Sequence, residues 1–197
     1  MTKLRALEVH VSRYTVRSVR AHDFSELMAL ENTLFGQTED GVLGPYYVRL
    51  CCEFFGDSCF VVEVEGKIVG YLLSFIRDRE AYCTTLGVLP MYQGTRAIVR
   101  LIRAFTTAVV DQVDACWFTV EEENSAARAL HEVIGAKELE YRPDFYGPGR
   151  GRIISRVDRE AFVRVRAHLE RLGLVERKRL APAPRPTLNH VACEAVA

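Results

Sequence analysis

The sequence has no surplus of charge: Lys+Arg and Asp+Glu each number 26. A general nucleic-acid binder carries a basic excess, so that class is not expected. No stretch of about 18 consecutive apolar residues is present, so no membrane-spanning helix is expected. The opening residues Met1-Thr2-Lys3-Leu4-Arg5 lead into no apolar segment of the secretory kind, and a cytoplasmic location is expected. Six cysteines occur (Cys51, Cys52, Cys59, Cys83, Cys116 and Cys193), but none forms a C-x-x-C pair, so no metal site is expected. Five of them lie in apolar segments, where a thiol behaves as a small hydrophobe, and the cysteines are expected to be reduced and mostly buried. The vicinal Cys51-Cys52 pair shares its segment with Tyr47, Leu50 and Phe54, so packing is the stronger reading than redox chemistry. Internal repeats are absent as well.

What is present fits one α/β domain of 197 residues with an appendage. The spacing predicts a strand over residues 14–19 and then a helix with Asp23 as N-cap, Glu26 as its capping-box partner, and a stripe of Leu27, Leu30 and Leu34. A second helix is predicted over 46–55. A strand over 58–64, a turn at Glu65-Gly66 and a strand over 67–76 make a hairpin. A strand over 81–89, a helix over 93–112, a strand over 116–120 and a helix over 125–134 follow. Strands over 139–142 and 152–157 flank the turn Tyr146-Gly147-Pro148-Gly149. This order predicts a mixed, mostly antiparallel sheet flanked by helices, over residues 1–157. Residues 158–175 read as an amphipathic helix with Phe162, Val165, Leu169 and Leu172 on one face. That face either packs on its own domain, the stronger reading, or forms a dimer surface. The Pro-rich end, 176–197, is expected to be a mobile tail.

The segment Leu86-Gly87-Val88-Leu89-Pro90-Met91-Tyr92-Gln93-Gly94-Thr95-Arg96-Ala97 is the most specific in the chain. An apolar strand enters a proline, a glycine turn and an amphipathic helix, a layout that aims backbone N–H groups at a phosphate. Three other segments stand in order around it: Tyr14-Thr15-Val16-Arg17 with Asp23-Phe24, Glu65-Gly66-Lys67-Ile68-Val69-Gly70-Tyr71, and Asn124-Ser125-Ala126-Ala127-Arg128-Ala129-Leu130 with Gly135-Ala136. Together they resemble the GNAT N-acetyltransferase superfamily over residues 14–157.

The resemblance implies acetyl-CoA as cosubstrate. It puts the pantetheine arm along Leu86, Gly87 and Val88, and the pyrophosphate on Gln93, Gly94, Thr95, Arg96 and Ala97. It implies that Asn124 and Arg128 help place the coenzyme. Arg96 and Ile98 stand where the family has small residues; Arg96 either contacts phosphate or narrows the loop. His131 stands where many members carry a tyrosine that protonates the departing thiolate. Imidazole can do this too, and it can equally be a helical histidine without a role; both readings stand.

Among carboxylates, Glu121, Glu122, Glu123, Glu31, Glu53 and Asp57 are candidate bases, most of them read as solvated charges. Tyr82 and Thr84 face either the core, the stronger reading, or the cleft, and Tyr146 is either a cover for the acceptor or a turn aromatic. Residues 46–62 are similar to the matching stretch of diaminobutyrate acetyltransferases of ectoine biosynthesis, which implies a small amine or amino acid as acceptor. The expected activity is therefore N-acetyl transfer to a small-molecule amine. A rival reading is a non-catalytic acyl-CoA sensor on the same fold, favoured by Arg96, Ile98 and His131.

Overall fold

The computed structural model describes residues 14–38 and 41–173. The elements run β1 (Thr15–Ser18), α1 (Phe24–Phe35), α2 (Pro45–Phe54), β2 (Phe60–Val64), β3 (Lys67–Arg77), β4 (Glu80–Val88), α3 (Arg96–Val109), β5 (Ala115–Val120), α4 (Ser125–Val133), β6 (Lys137–Arg142), β7 (Arg152–Asp158) and α5 (Arg159–Arg171). The seven strands form one sheet in the order β1-β2-β3-β4-β5-β7-β6. Every pairing is antiparallel except β4 with β5.

The burial pattern explains the order. Most of β3 is buried, from Ile68 to Ser74, because helices cover both of its faces. On one face α3, α4 and α5 close over a core that includes Leu72, Phe105, Phe118 and Phe162. On the other, α1 and α2 bury Leu27, Leu30, Val48 and Tyr71. β6, with the sequence KELEYR, is exposed throughout, and its charges guard the sheet edge. Helix α5 buries Ala161, Phe162 and Leu169 in the same core, so most of its apolar face is used within the chain. Cys51, Cys52, Cys59 and Cys116 are buried free thiols and Cys83 is half-buried. Cys193 and the tail over 176–197 lie outside the described residues. Among the described residues no helix is long and apolar enough to cross a membrane, and no group of side chains could hold a metal.

Two local expectations need correction. Asp23 precedes α1 but does not cap it; its carboxylate accepts from the Arg20 N–H at 2.8 Å and from both ends of the Arg17 guanidinium at 2.7 and 2.9 Å. Glu26 turns away to accept from the Ile68 N–H at 2.9 Å, tying α1 to β3. The pull of a half-buried arginine outcompetes a capping box here. The helix expected from residue 93 begins at Arg96, because a separate 3-10 turn, Pro90–Tyr92, and an extended Thr95 stand before it.

Candidate active site

β4 and β5 pair only at Glu80–Ala115, Ala81–Cys116 and Tyr82–Trp117. Beyond those rungs β4 continues to Val88 and β5 to Val120 with no pairing between them. A bulge accounts for the divergence. Leu73 lies opposite Thr85 while Ser74 lies opposite Cys83, which leaves Thr84 as an extra residue in β4. Such an insertion bends a strand and increases its twist. Thr84 is anchored there by its hydroxyl, 3.0 Å from the Leu73 carbonyl and 2.5 Å from the Tyr47 phenol.

Ladder alternation says which groups the gap receives. The Leu89 N–H donates to the Val69 carbonyl at 2.9 Å, and the register sets Gly87 opposite Tyr71 and Val88 opposite Gly70. Hydrogen-bonded residues alternate in an antiparallel pair, so Gly87 faces β3 while Leu86 and Val88 turn their N–H and C=O groups into the gap. The Val88 carbonyl accepts from Gln93 Nε2 at 3.2 Å, in keeping with that direction. Gly87 also lets the strand pass close to α1: an added Cβ would lie 2.8 Å from Leu34 Cδ1 and 3.0 Å from Tyr71 Cζ.

The loop after β4 delivers the N-terminus of α3 to the mouth of the gap. Gly94 has φ +70°, a conformation that a side chain disfavours. Thr95 caps α3, its Oγ1 accepting from the Ala97 N–H at 3.2 Å. The first-turn amides of a helix have no partner within the helix, so this end suits an anion. Arg96 occupies the first helical position with its side chain exposed, and Ile98 packs against the core. Neither has a positive φ.

On α4 the local duties are different. Asn124 caps the helix, its Oδ1 accepting from the Ala127 N–H at 3.0 Å. Arg128 forms a fork with Glu138 at 2.8 and 3.2 Å and donates to the Glu122 carbonyl at 3.0 Å. His131 packs on Phe118 of β5, with ring centres 4.6 Å apart and the planes tilted by 36°. Its Nδ1 is buried without a hydrogen-bond partner among the described residues. Burial pushes the imidazole down from 6.5 to about 4, and Glu138 opposes this only weakly. At neutral pH the ring is therefore uncharged, and it can offer a neutral N–H but not a stored proton. It also lines a cavity of about 510 Å³ between α4 and the β6–β7 pair, together with Arg128 and Glu138.

A cleft opens on the α1–α2 face. A cavity of about 420 Å³ is walled by Glu31 and Phe35 of α1, residues 41–44, Thr84 and Thr85 of β4, Thr119 of β5, and Tyr146, Arg150 and Arg152. A second, of about 350 Å³, shares Thr84, Thr119 and Tyr146 with it and adds the aromatic rings of Phe75, Tyr82, Trp117 and Phe145. Tyr82 and Thr84 thus face the cleft rather than the core, and Tyr146 covers it. Thr84, Thr85 and Thr119 place this cleft against the gap between β4 and β5.

Glu31 is 3% exposed. Its Oε1 accepts from the Leu43 N–H at 2.8 Å, its Oε2 has no partner among the described residues, and burial raises its pKa. Glu53 and Asp57 are exposed, as are Glu121, Glu122 and Glu123. Arg152, which sequence reading did not single out, is 6% exposed; it meets Glu121 at 3.3 Å and lies 5.0 Å over the Tyr146 ring. One signal for Glu31 was available: it falls four residues after Leu27, on the stripe that α1 buries.

The fold that carries these features has counterparts in known proteins. A family model described as the acetyltransferase (GNAT) family matches residues 24–136. No curated protein matches significantly. Among solved structures, Ard1 from Thermoplasma volcanium is similar at 19% identity, covering 74% of this chain and 97% of that one, with a TM-score of 0.64. Diaminobutyrate acetyltransferase EctA from Paenibacillus lautus, in complex with L-2,4-diaminobutyric acid and coenzyme A, is 18% identical over 75% of this chain and 96% of that one, with a TM-score of 0.63. Naa50 from Arabidopsis thaliana, in complex with the bisubstrate analogue CoA-Ac-MVNAL, is 18% identical over 74% and 98%, with a TM-score of 0.64. These likenesses establish a shared fold, and the family model, spanning more than half of the sequence, establishes the lineage: this chain belongs to the acetyltransferase (GNAT) family.

Proposed function

We propose that the protein transfers the acetyl group of acetyl-CoA to the amine of a small molecule or amino acid, by direct attack in a ternary complex. The observation that carries this reading is the loss of β4–β5 pairing beyond Tyr82 and Trp117. Pantetheine is an extended chain with two amides, and a strand edge with unpaired N–H and C=O groups suits it. Leu86 and the Val88 N–H supply that edge, with Gly87 between them, while the Val88 carbonyl accepts from Gln93 Nε2. The pyrophosphate sits on the loop of Gln93, Gly94, Thr95, Arg96 and Ala97, where the α3 amides and the exposed Arg96 guanidinium favour negative charge.

The amine enters from the opposite side, through the cleft at Thr84, Thr85 and Thr119. Backbone donors of the gap polarise the thioester carbonyl as charge develops on its oxygen. The amine nitrogen bonds to the carbonyl carbon, the C–S bond breaks, and the thiolate leaves. His131 donates a hydrogen bond from its neutral ring to that sulfur. Asn124 shapes the start of α4 beside the coenzyme, whereas Arg128 reaches the coenzyme only by opening its fork with Glu138. The resemblance of residues 46–62 to diaminobutyrate acetyltransferases supports a small acceptor; EctA with a small diamino acid and Naa50 with a peptide-bearing analogue share the fold equally.

The test is thiol release from acetyl-CoA with a panel of free amines, amino acids and a peptide with a free N-terminus. Release that depends on a free amine or amino acid is expected. Acetyl-CoA binding with no turnover of any amine overturns the transfer and leaves a sensor.

A further inference from the structure

Glu31 is the one carboxylate of the candidate set that is withdrawn from solvent, and it lines the acceptor cavity. One of its oxygens is satisfied by the Leu43 N–H, and the other meets no donor among the described residues. A buried carboxylate oxygen without a donor bears the whole penalty of leaving water. Such a cost is characteristic of a site completed by a ligand. Among the described residues the other charged side chains on the cavity wall are Arg150 and Arg152, which cannot bind a cation. We propose that Glu31 Oε2 receives the nitrogen of a small primary amine seated between α1 and the threonines at the gap, and that it takes a proton from that nitrogen before attack. This rests on the acetyl-transfer reading for its second step and on geometry alone for its first.

The step balances. The acceptor arrives as an ammonium ion and gives one proton to Oε2, which leaves a neutral amine with its lone pair and a protonated Glu31. Nitrogen then bonds to the acetyl carbon, the C–S bond breaks, and the second proton lost from nitrogen ends on the thiolate. Glu31 returns its proton to water. The raised pKa of the buried carboxyl suits a group that must hold a proton for part of the cycle. The Leu43 bond fixes the carboxylate plane through Oε1 and orders residues 41–44 as a wall, so the two oxygens have separate tasks.

The test is calorimetric binding of the amine panel to the protein with and without saturating coenzyme A, wild type against Glu31→Gln and Glu31→Asp. In Glu31→Gln the amide oxygen can still accept from the Leu43 N–H, so this variant is expected to keep its thermal midpoint. The wild type is expected to bind at least one small primary amine. Glu31→Gln is expected to weaken that binding at least tenfold and to lower kcat for the same amine at least a hundredfold, with Glu31→Asp between the two. Wild-type-like binding by Glu31→Gln overturns the proposal. So does a wild type that binds no small amine, or that binds only the peptide. If Glu31→Gln fails to fold, Glu31→Asp decides the matter by the same two readouts. Failure to bind acetyl-CoA, with amine binding intact and dependent on Glu31, defeats the transfer reading and leaves the amine site standing.

Discussion

An imidazole buried against an aromatic ring, with no partner at one nitrogen, gives up its charge more readily than one in water. His131 is in that position, and the consequence is a limit on its chemistry. A neutral ring donating one hydrogen bond is worth less than a full general acid, which contributes about 10²–10⁴. His131→Ala is therefore expected to lower kcat about tenfold, equivalent to about 1.4 kcal/mol; steady-state kinetics on the best amine checks this, and an unchanged kcat removes the residue from the mechanism. The same burial links pH to stability. The folded-state pKa is depressed, so between 6.5 and about 4 the unfolded chain binds the proton and the folded chain does not. Stability is expected to be full above pH 6.5 and to fall as pH drops toward 4. Thermal midpoints measured across that window are expected to flatten in His131→Gln.

At the scale of elements, the proposed function rests on the irregularities of β4. Gly87→Ala puts a Cβ against Tyr71, a ring that is 1% exposed and cannot retreat. A loss of about 1–3 kcal/mol is expected from such overpacking, read by urea denaturation. Thr95→Ala removes the α3 cap and is expected to cost about 1 kcal/mol and to weaken acetyl-CoA binding, because the same turn presents the amides. These features also mark where sequence reading stopped. The period-2 pattern located β4, but the bulge at Thr84 is invisible to it, because pairing register depends on β3 and β5 rather than on β4 itself. Gly94 announced a turn, yet the helix start moved to Arg96, since only the extended Thr95 places a hydroxyl on the Ala97 N–H. The small residues expected at positions 96 and 98 came from the resemblance; in this chain Arg96 is exposed, Ile98 packs against the core, and neither has a positive φ.

For the molecule as a whole, the proposed transfer divides between the two faces of the sheet, with the amides of α3 on one side and the proposed acceptor cleft on the other. The order of elements was legible because apolar spacing decides which segments become strands and helices. The cleft was not, because Glu31, Thr119 and Arg152 come from α1, β5 and β7 and meet only once the sheet forms. An ion-pair knot closes the far edge. Arg17 of β1 holds the 2%-exposed Asp23 and also Glu63 of β2, at 2.6 Å. Arg17→Ala leaves Asp23 buried and without its arginine, and is expected to cost about 3 kcal/mol in chemical denaturation. On the proposed reading both substrates meet in the gap between β4 and β5, and amide hydrogen exchange with and without acetyl-CoA reads that gap directly. Added protection is expected at the Leu86 and Val88 amides and over residues 94–99, with the Gly87 amide, which faces β3, little changed. Acetyl-CoA binding that leaves the Leu86 and Val88 amides as exchangeable as before would rule out the gap as the coenzyme's seat.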